Sequence, residues 1–342
     1  MIETCLRQRN PSGVLPGDAY LAVGINVYPY IAIYKKNGDT FTRLPNPATL
    51  PTGIAYGVVW NGSHLYCSHY NYPYVTAYKR TGDTFTKLAN FTTNEGALSG
   101  GRIATNGGKM AYTFTGMPGF KTVSISGDTF SVDSNSGTSL AGTPLLNTGI
   151  AYNLNSGSGN YLAIATQGIF AFTQGNPPVV ISQSMPTSTS VRCVATNIID
   201  EFLTYGDSGL IRLASTTIGP TFGTYSPSSL SWSDNTPLNL AWDGYFGQYL
   251  AAAASISGLT VRFWDTGSSF TTCTLSGTVP TGGRGVAWSY SAVLYLALAS
   301  SVSPYIYIYK QNSYFGTTFT KLSDPAVLPE GVCNAVAFSD PL

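Results

Sequence analysis

Four short phrases each recur seven times along this chain, always in the same order, and that repeat constrains the fold more than anything else in the sequence. The first phrase resembles "GVAW" and closes at Asn61, Asn106, Asn153, Asn197, Asp243, Ser289 and Ser339. The second resembles "YLA" and centres on Leu21, Leu65, Met110, Leu162, Leu203, Leu250 and Leu296. The third runs from "YIAIYKK" at Tyr30 to "YIYIYKQ" at Tyr305, and the fourth is short: "DTFTRL", "DTFTKL", a drifted "PTFGTY", "TTFTKL". Successive copies lie about 46 residues apart, a period typical of propeller blades.

Each phrase alternates large apolar with small or polar residues, the period-2 pattern of strands. "YIYIYK" sets Tyr305, Tyr307 and Tyr309 against Ile306 and Ile308. The run Ala251–Ala254 favours helix by propensity, but its register with the other "YLA" phrases assigns it to a strand. Gly-Asp pairs in "KNGDT", "RTGDT" and "ISGDT" supply the positive-φ residue of tight hairpins. Low charge with abundant Tyr, Thr, Val and Gly suits strands and turns. Four strands per repeat, seven times over, predict an all-β, seven-bladed β-propeller with four-stranded antiparallel blades.

The chain starts on the second phrase and ends on the first. The last strand, 332–339, therefore pairs with the N-terminal strands of 18–45 and closes the ring without splayed edges. An N-terminal extension, 1–17, precedes one propeller, 18–342. Its further blades fall at about 54–89, 100–132, 148–183, 190–225, 237–275 and 283–323.

Net charge is +1 and no basic block exceeds two residues, which argues against nucleic acid as a partner. No apolar stretch is long enough to span a bilayer, and the first 20 residues carry no secretory signal pattern. The five cysteines are odd in number and widely spaced, so they predict buried, reduced thiols in place of a disulfide or zinc framework.

The segments "GVAWS", "YLALASSVSPYIYIYKQ" and "FTKLSDPAVLPEG" resemble the propeller repeat of virion and prophage proteins of tailed bacteriophages, a relative of YVTN- and WD-type propellers. The likeness is strongest over 18–89 and 283–340. It implies a non-enzymatic structural or attachment component of a tailed-phage particle, made in the host cytoplasm and carried on the virion. Its implied partners are other virion proteins, with a host-surface glycan as a further candidate. A glycan-binding lectin is the alternative reading, and a polysaccharide-active enzyme ranks third.

No catalytic motif, cofactor loop or metal cluster stands out. Asp39, Asp83 and Asp128 each sit alone in a hairpin turn, as turn chemistry requires. His64 and His69 lie five apart on a strand and point to opposite faces, so they do not share a metal. Trp60, Trp242 and Trp288 hold equivalent places in the first phrase and predict inter-blade packing. The candidate contact face comprises Tyr28, Tyr30, Tyr70, Tyr72, Tyr74 and Tyr305, in loops between second and third strands, with Trp232 on a fourth-to-first connection. Tyr offers contact area at low entropy cost; alternatively these tyrosines stiffen strand entry and pack between blades.

Overall fold

The alternating phrases form strands, and the described residues contain no helix. A computed structural model describes residues 19–91, 100–114, 119–133, 149–153, 161–165, 169–173, 180–184, 191–196, 202–206, 210–215, 232–233, 237–244, 247–265 and 269–339. The expected extension, 1–17, lies outside them. Seven sheets result, six of four strands and one of five. The sheet of Ala55–Asn61, His64–His69, Val75–Thr81 and Thr84–Lys87 shows the plan: neighbours in sequence pair antiparallel, from the axis outward. Gly38, Gly82 and Gly127 turn the outer hairpins at φ of 57°, 59° and 57°, where a Cβ would be strained.

Ring closure follows the sequence reading. Cys333–Phe338 pairs with Tyr20–Ile25 in the register Leu21↔Phe338 and Val23↔Val336. The alanine run is strand Tyr249–Ala254, buried throughout.

Two elements differ from expectation. Thr274–Ser276 joins the outer strand Thr318–Lys321 in parallel, so the last sheet has five strands. Trp232 leaves its assigned connection: Trp232–Ser233 is the outermost strand of its sheet and pairs with Leu210 and Ile211. A two-residue strand carries no period-2 signal, which is why the reading missed it.

Each sheet packs on both neighbours, so both faces of the middle strands are covered and alternation does not mark a wet side. Ile306, Tyr307, Ile308 and Tyr309 are all buried. Trp60 Nε1 donates to Ala337 O at 3.1 Å, Trp288 Nε1 to Ala241 O at 3.0 Å and Trp242 Nε1 to Thr204 Oγ1 at 2.8 Å. All three bonds cross to the preceding sheet, as inter-blade packing requires. Cys67, Cys193, Cys273 and Cys333 are buried free thiols; Cys5 lies outside the described residues.

Candidate functional site

The innermost strands run side by side around an axial cavity of about 300 Å³, lined by all seven sheets. Crowding there demands small residues: a Cβ on Gly57 would come within 3.0 Å of Ile103 N, and one on Gly285 within 2.9 Å of Ala335 Cα. Near its start, this strand slips register in five sheets, between Ala55/Gly57, Gly100/Ile103, Pro237/Asn239, Gly283/Gly285 and, across from Gly24/Ile25, at Asn334. Such a bulge re-aims the extra residue.

Carbonyls of four bulged residues meet one side chain. Arg102, 8% exposed, reaches into the axis from Gly100–Thr105. Its Nη1 donates to Asn334 O at 3.1 Å and Tyr56 O at 3.4 Å, and its Nη2 to Arg284 O at 2.9 Å and Leu238 O at 3.5 Å. The Nε–H is buried and finds no acceptor. Burial pulls the guanidinium down to about 10, so it stays charged at neutral pH. Among the described residues no Asp or Glu lines the cavity.

Above this plug, the mouth is polar. Arg284 is exposed, and its Nη1 donates to Asn334 Oδ1 at 3.2 Å. The Asn334 amide is fixed in turn by donating to Ala55 O at 3.0 Å. Tyr56 is half-buried, and its phenol is raised, first by burial and then by the neighbouring Tyr70, with Arg284 opposing. Sequence reasoning missed both arginines. The signal was present: in the aligned first phrases, Arg102 stands where other copies carry Gly57, Asn239, Gly285 and Ala335.

The tyrosine loops rise beside this mouth. Tyr70 N donates to Ile54 O, and Asn26 N to Val332 O, which ties two of them to the starts of innermost strands. The three loops share one backbone: cis bonds at Tyr28-Pro29, Tyr72-Pro73 and Ser303-Pro304, then Tyr30, Tyr74 and Tyr305 at φ of 68°, 66° and 69°. The six candidate tyrosines divide by burial. Tyr28, Tyr72 and Tyr70 are 70%, 55% and 50% exposed, Tyr30 and Tyr305 are half-buried, and Tyr74 is buried. Trp232 is on an outer strand, away from these loops' strands.

The remaining candidates are structural in the geometry. His69 is buried, its Nε2 2.8 Å from Thr76 Oγ1, while His64 Nε2 lies 2.8 Å from Asp128 Oδ1 of the next sheet. Among the described residues no three His, Cys, Asp or Glu side chains come together to hold a metal.

No protein-family model and no curated protein matches the chain. Solved structures do. A candidate 6-phosphogluconolactonase from Bacteroides fragilis is 12% identical, covers 94% of this chain and 98% of its own, and superposes with a TM-score of 0.66. The periplasmic gluconolactonase PpgL of Pseudomonas aeruginosa is 12% identical, covers 95% and 100%, and gives 0.65. Apo AztD from Citrobacter koseri is 12% identical, covers 94% and 98%, and gives 0.60. These likenesses establish the propeller fold.

They also correct three expectations. The non-enzymatic phage component, the absence of enzyme activity and the virion location are withdrawn: the fold is shared end to end with proteins named as lactonases, one of them periplasmic, and the comparisons carry no phage link. The reason is physical. The phrases that carried the resemblance, "GVAWS", "YLALASSVSPYIYIYKQ" and "FTKLSDPAVLPEG", encode the strands of one blade and the connections between them. Those report how a blade is built, not what sits at its axis.

Proposed function

We propose that the chain acts on a sugar lactone, or its phosphorylated form, and holds the anionic aldonate it yields, at the axial mouth. The observation that carries this reading is the pair Arg102 and Arg284, one guanidinium lining the cavity and the other beside it on Asn334, with no carboxylate among the described residues that line it. A site of this charge favours an anion, and a guanidinium matches a carboxylate or phosphate with two parallel donors. The substrate class is the one for which structural neighbours are named.

In this reading water adds to the lactone carbonyl, the ring C–O bond breaks and the ring oxygen leaves as a hydroxyl. One water is consumed, and an aldonate and a proton form. Arg284 is placed to donate to the carbonyl oxygen as it gains charge and to hold the carboxylate product. The Tyr56 phenol, its pKa raised, keeps its proton and serves as a donor to the substrate.

Calorimetric titration with gluconate and 6-phosphogluconate, beside pH-stat hydrolysis of their lactones, tests this. Saturable binding and a rate above the buffer blank, both reduced about tenfold or more in Arg284→Ala, are the expected results. An absence of binding and of any rate above the blank refutes the reading.

A further inference from the structure

Tyr28, Tyr70 and Tyr72 are exposed beside the mouth. Tyr28 and Tyr72 occupy the same position in two adjacent sheets, each following a residue of the loop that caps strand two. Each is braced edge-on by the tyrosine two positions later: Tyr28 against Tyr30 at 6.2 Å and 79°, Tyr72 against Tyr74 at 6.0 Å and 89°. The bracing residues are themselves pinned, Tyr30 N donating to Val27 O at 2.7 Å and Tyr74 N to Asn71 O at 2.8 Å. Two flat aromatic faces are thus presented to solvent in fixed orientations, and little rotamer freedom remains to be lost on binding.

These faces continue into the axial site. Tyr70 shares its loop with Tyr72 and its N–H donates to Ile54 O at 2.9 Å, two residues before Tyr56, whose carbonyl and that of Arg284 accept from the same Arg102 guanidinium. The charge pattern along this line is sharply divided. The loop sequences "NVYPY", "YNYPY" and "SVSPY" carry no charged residue, whereas the axis carries Arg102 and Arg284. A complementary ligand is neutral along its length and anionic at one end.

We infer that Tyr28, Tyr70 and Tyr72 form a saccharide-stacking subsite, so that the ligand is the aldonate or lactone end of an oligosaccharide whose further sugars lie on the tyrosine rim. This rests on the axial reading for the acidic end alone. Sugar rings offer an apolar C–H face to an aromatic ring and direct their hydroxyls sideways to amides and water. The rim fits that chemistry: polar side chains stand beside its tyrosines, Asn71 between Tyr70 and Tyr72 and Ser303 on the third loop, both exposed. A protein partner would call for a contiguous apolar centre ringed by polar residues; here the exposed aliphatic side chains of the loops, Val27 and Val302, stand one to a loop.

The test is calorimetry on the full chain with three probes: gluconate, the tetrasaccharide aldonates of cello- and malto-oligosaccharides, and the corresponding neutral tetrasaccharides. At least one tetrasaccharide aldonate is expected to bind about tenfold or more tighter than gluconate. In Tyr28→Ala/Tyr72→Ala that gain disappears while gluconate affinity stays unchanged, and the melting curve confirms that the variant is folded. Tetrasaccharide aldonates that bind no tighter than gluconate, or a gain that survives the double variant, overturn the subsite and leave the axial reading standing. Tyrosine-dependent binding of tetrasaccharides without any binding of gluconate supports the subsite and refutes the axial reading instead. Sedimentation of both proteins closes the test: self-association abolished by the double variant would assign the rim to a second copy of the chain and overturn the saccharide.

Discussion

Tyr20 donates its phenolic hydrogen to Asp83 across a blade boundary, at 2.7 Å. Lys35 Nζ reaches the same carboxylate at 3.2 Å, from the same side of the boundary. The arrangement recurs around the ring. Tyr295 and Lys310 hold Asp39 at 2.7 and 2.8 Å, and His64 and Lys79 hold Asp128 at 2.8 and 2.6 Å. In each case the start of strand two and a lysine on strand three clasp the hairpin aspartate of the following sheet. The "GDT" turn therefore serves both the hairpin and the joint between blades.

The clasp makes a quantitative prediction. Tyr20 is buried while Asp83 is largely exposed, so the bond is worth about 1 kcal/mol and not more. Tyr20→Phe and Asp83→Asn should each lower the urea midpoint, and the double variant should cost less than their sum by about that amount. Strictly additive effects would show that the two side chains do not communicate.

A pH prediction follows from His69. Burial pulls its imidazole down to about 4, below the usual 6.5. The unfolded chain therefore binds a proton over the window between those values while the folded chain does not, and stability falls as pH drops through it. The loss approaches about 2–3 kcal/mol near pH 4.5, and His69→Gln should flatten that slope. Below about pH 4 a second decline sets in. Hydrogen bonds from Lys310 and Tyr295 hold Asp39 low, and those from Tyr20 and Lys35 hold Asp83 low. Stability from a depressed carboxylate is complete above its unfolded value and is lost as pH falls through the folded one. A His69→Gln protein with an unchanged slope between pH 6.5 and 4.5 would contradict the assignment.

Arg102 offers the sharpest test of the axis. Its guanidinium serves four inward carbonyls at once, and Arg102→Met leaves those acceptors buried without donors. The expected cost is about 3–5 kcal/mol in urea unfolding. Arg102→Lys should recover part of it, since an ammonium keeps the charge but not the planar fork. A Met variant as stable as the natural chain would mean that the carbonyl crown is satisfied by other means.

How much of this was legible beforehand depended on how often the sequence states it. Strands were readable because seven aligned copies average out local noise, and ring closure because the phrase order is broken at the ends. Trp232 was misplaced because a two-residue strand leaves no periodic trace. The added strand Thr274–Ser276 repeats nothing in the other copies. Arg102 and Arg284 were overlooked for the opposite reason to the strands. A repeat directs attention to what recurs, whereas the axis is defined by the single copies that depart from it. The blade phrases that recur best, from "GVAWS" to "FTKLSDPAVLPEG", carried the mistaken resemblance to phage proteins.

Closure of the ring by the C-terminal strand yields the last prediction. Removing residues 331–342 deletes Cys333–Phe338, the axial neighbour of Tyr20–Ile25. The loss is not confined to one edge. Arg102 loses its acceptor at Asn334 O and Trp60 its acceptor at Ala337 O, so the damage reaches the plug and the next interface together. The exposed strand Tyr20–Ile25, apolar on both faces, would then offer unpaired backbone groups to other chains. The shortened protein should lose its cooperative thermal transition and sediment as aggregate, whereas removal of residues 340–342 alone should leave the transition in place. A cooperative melt within a few degrees of the full chain after the larger deletion would show that the first and last strands do not hold the ring closed.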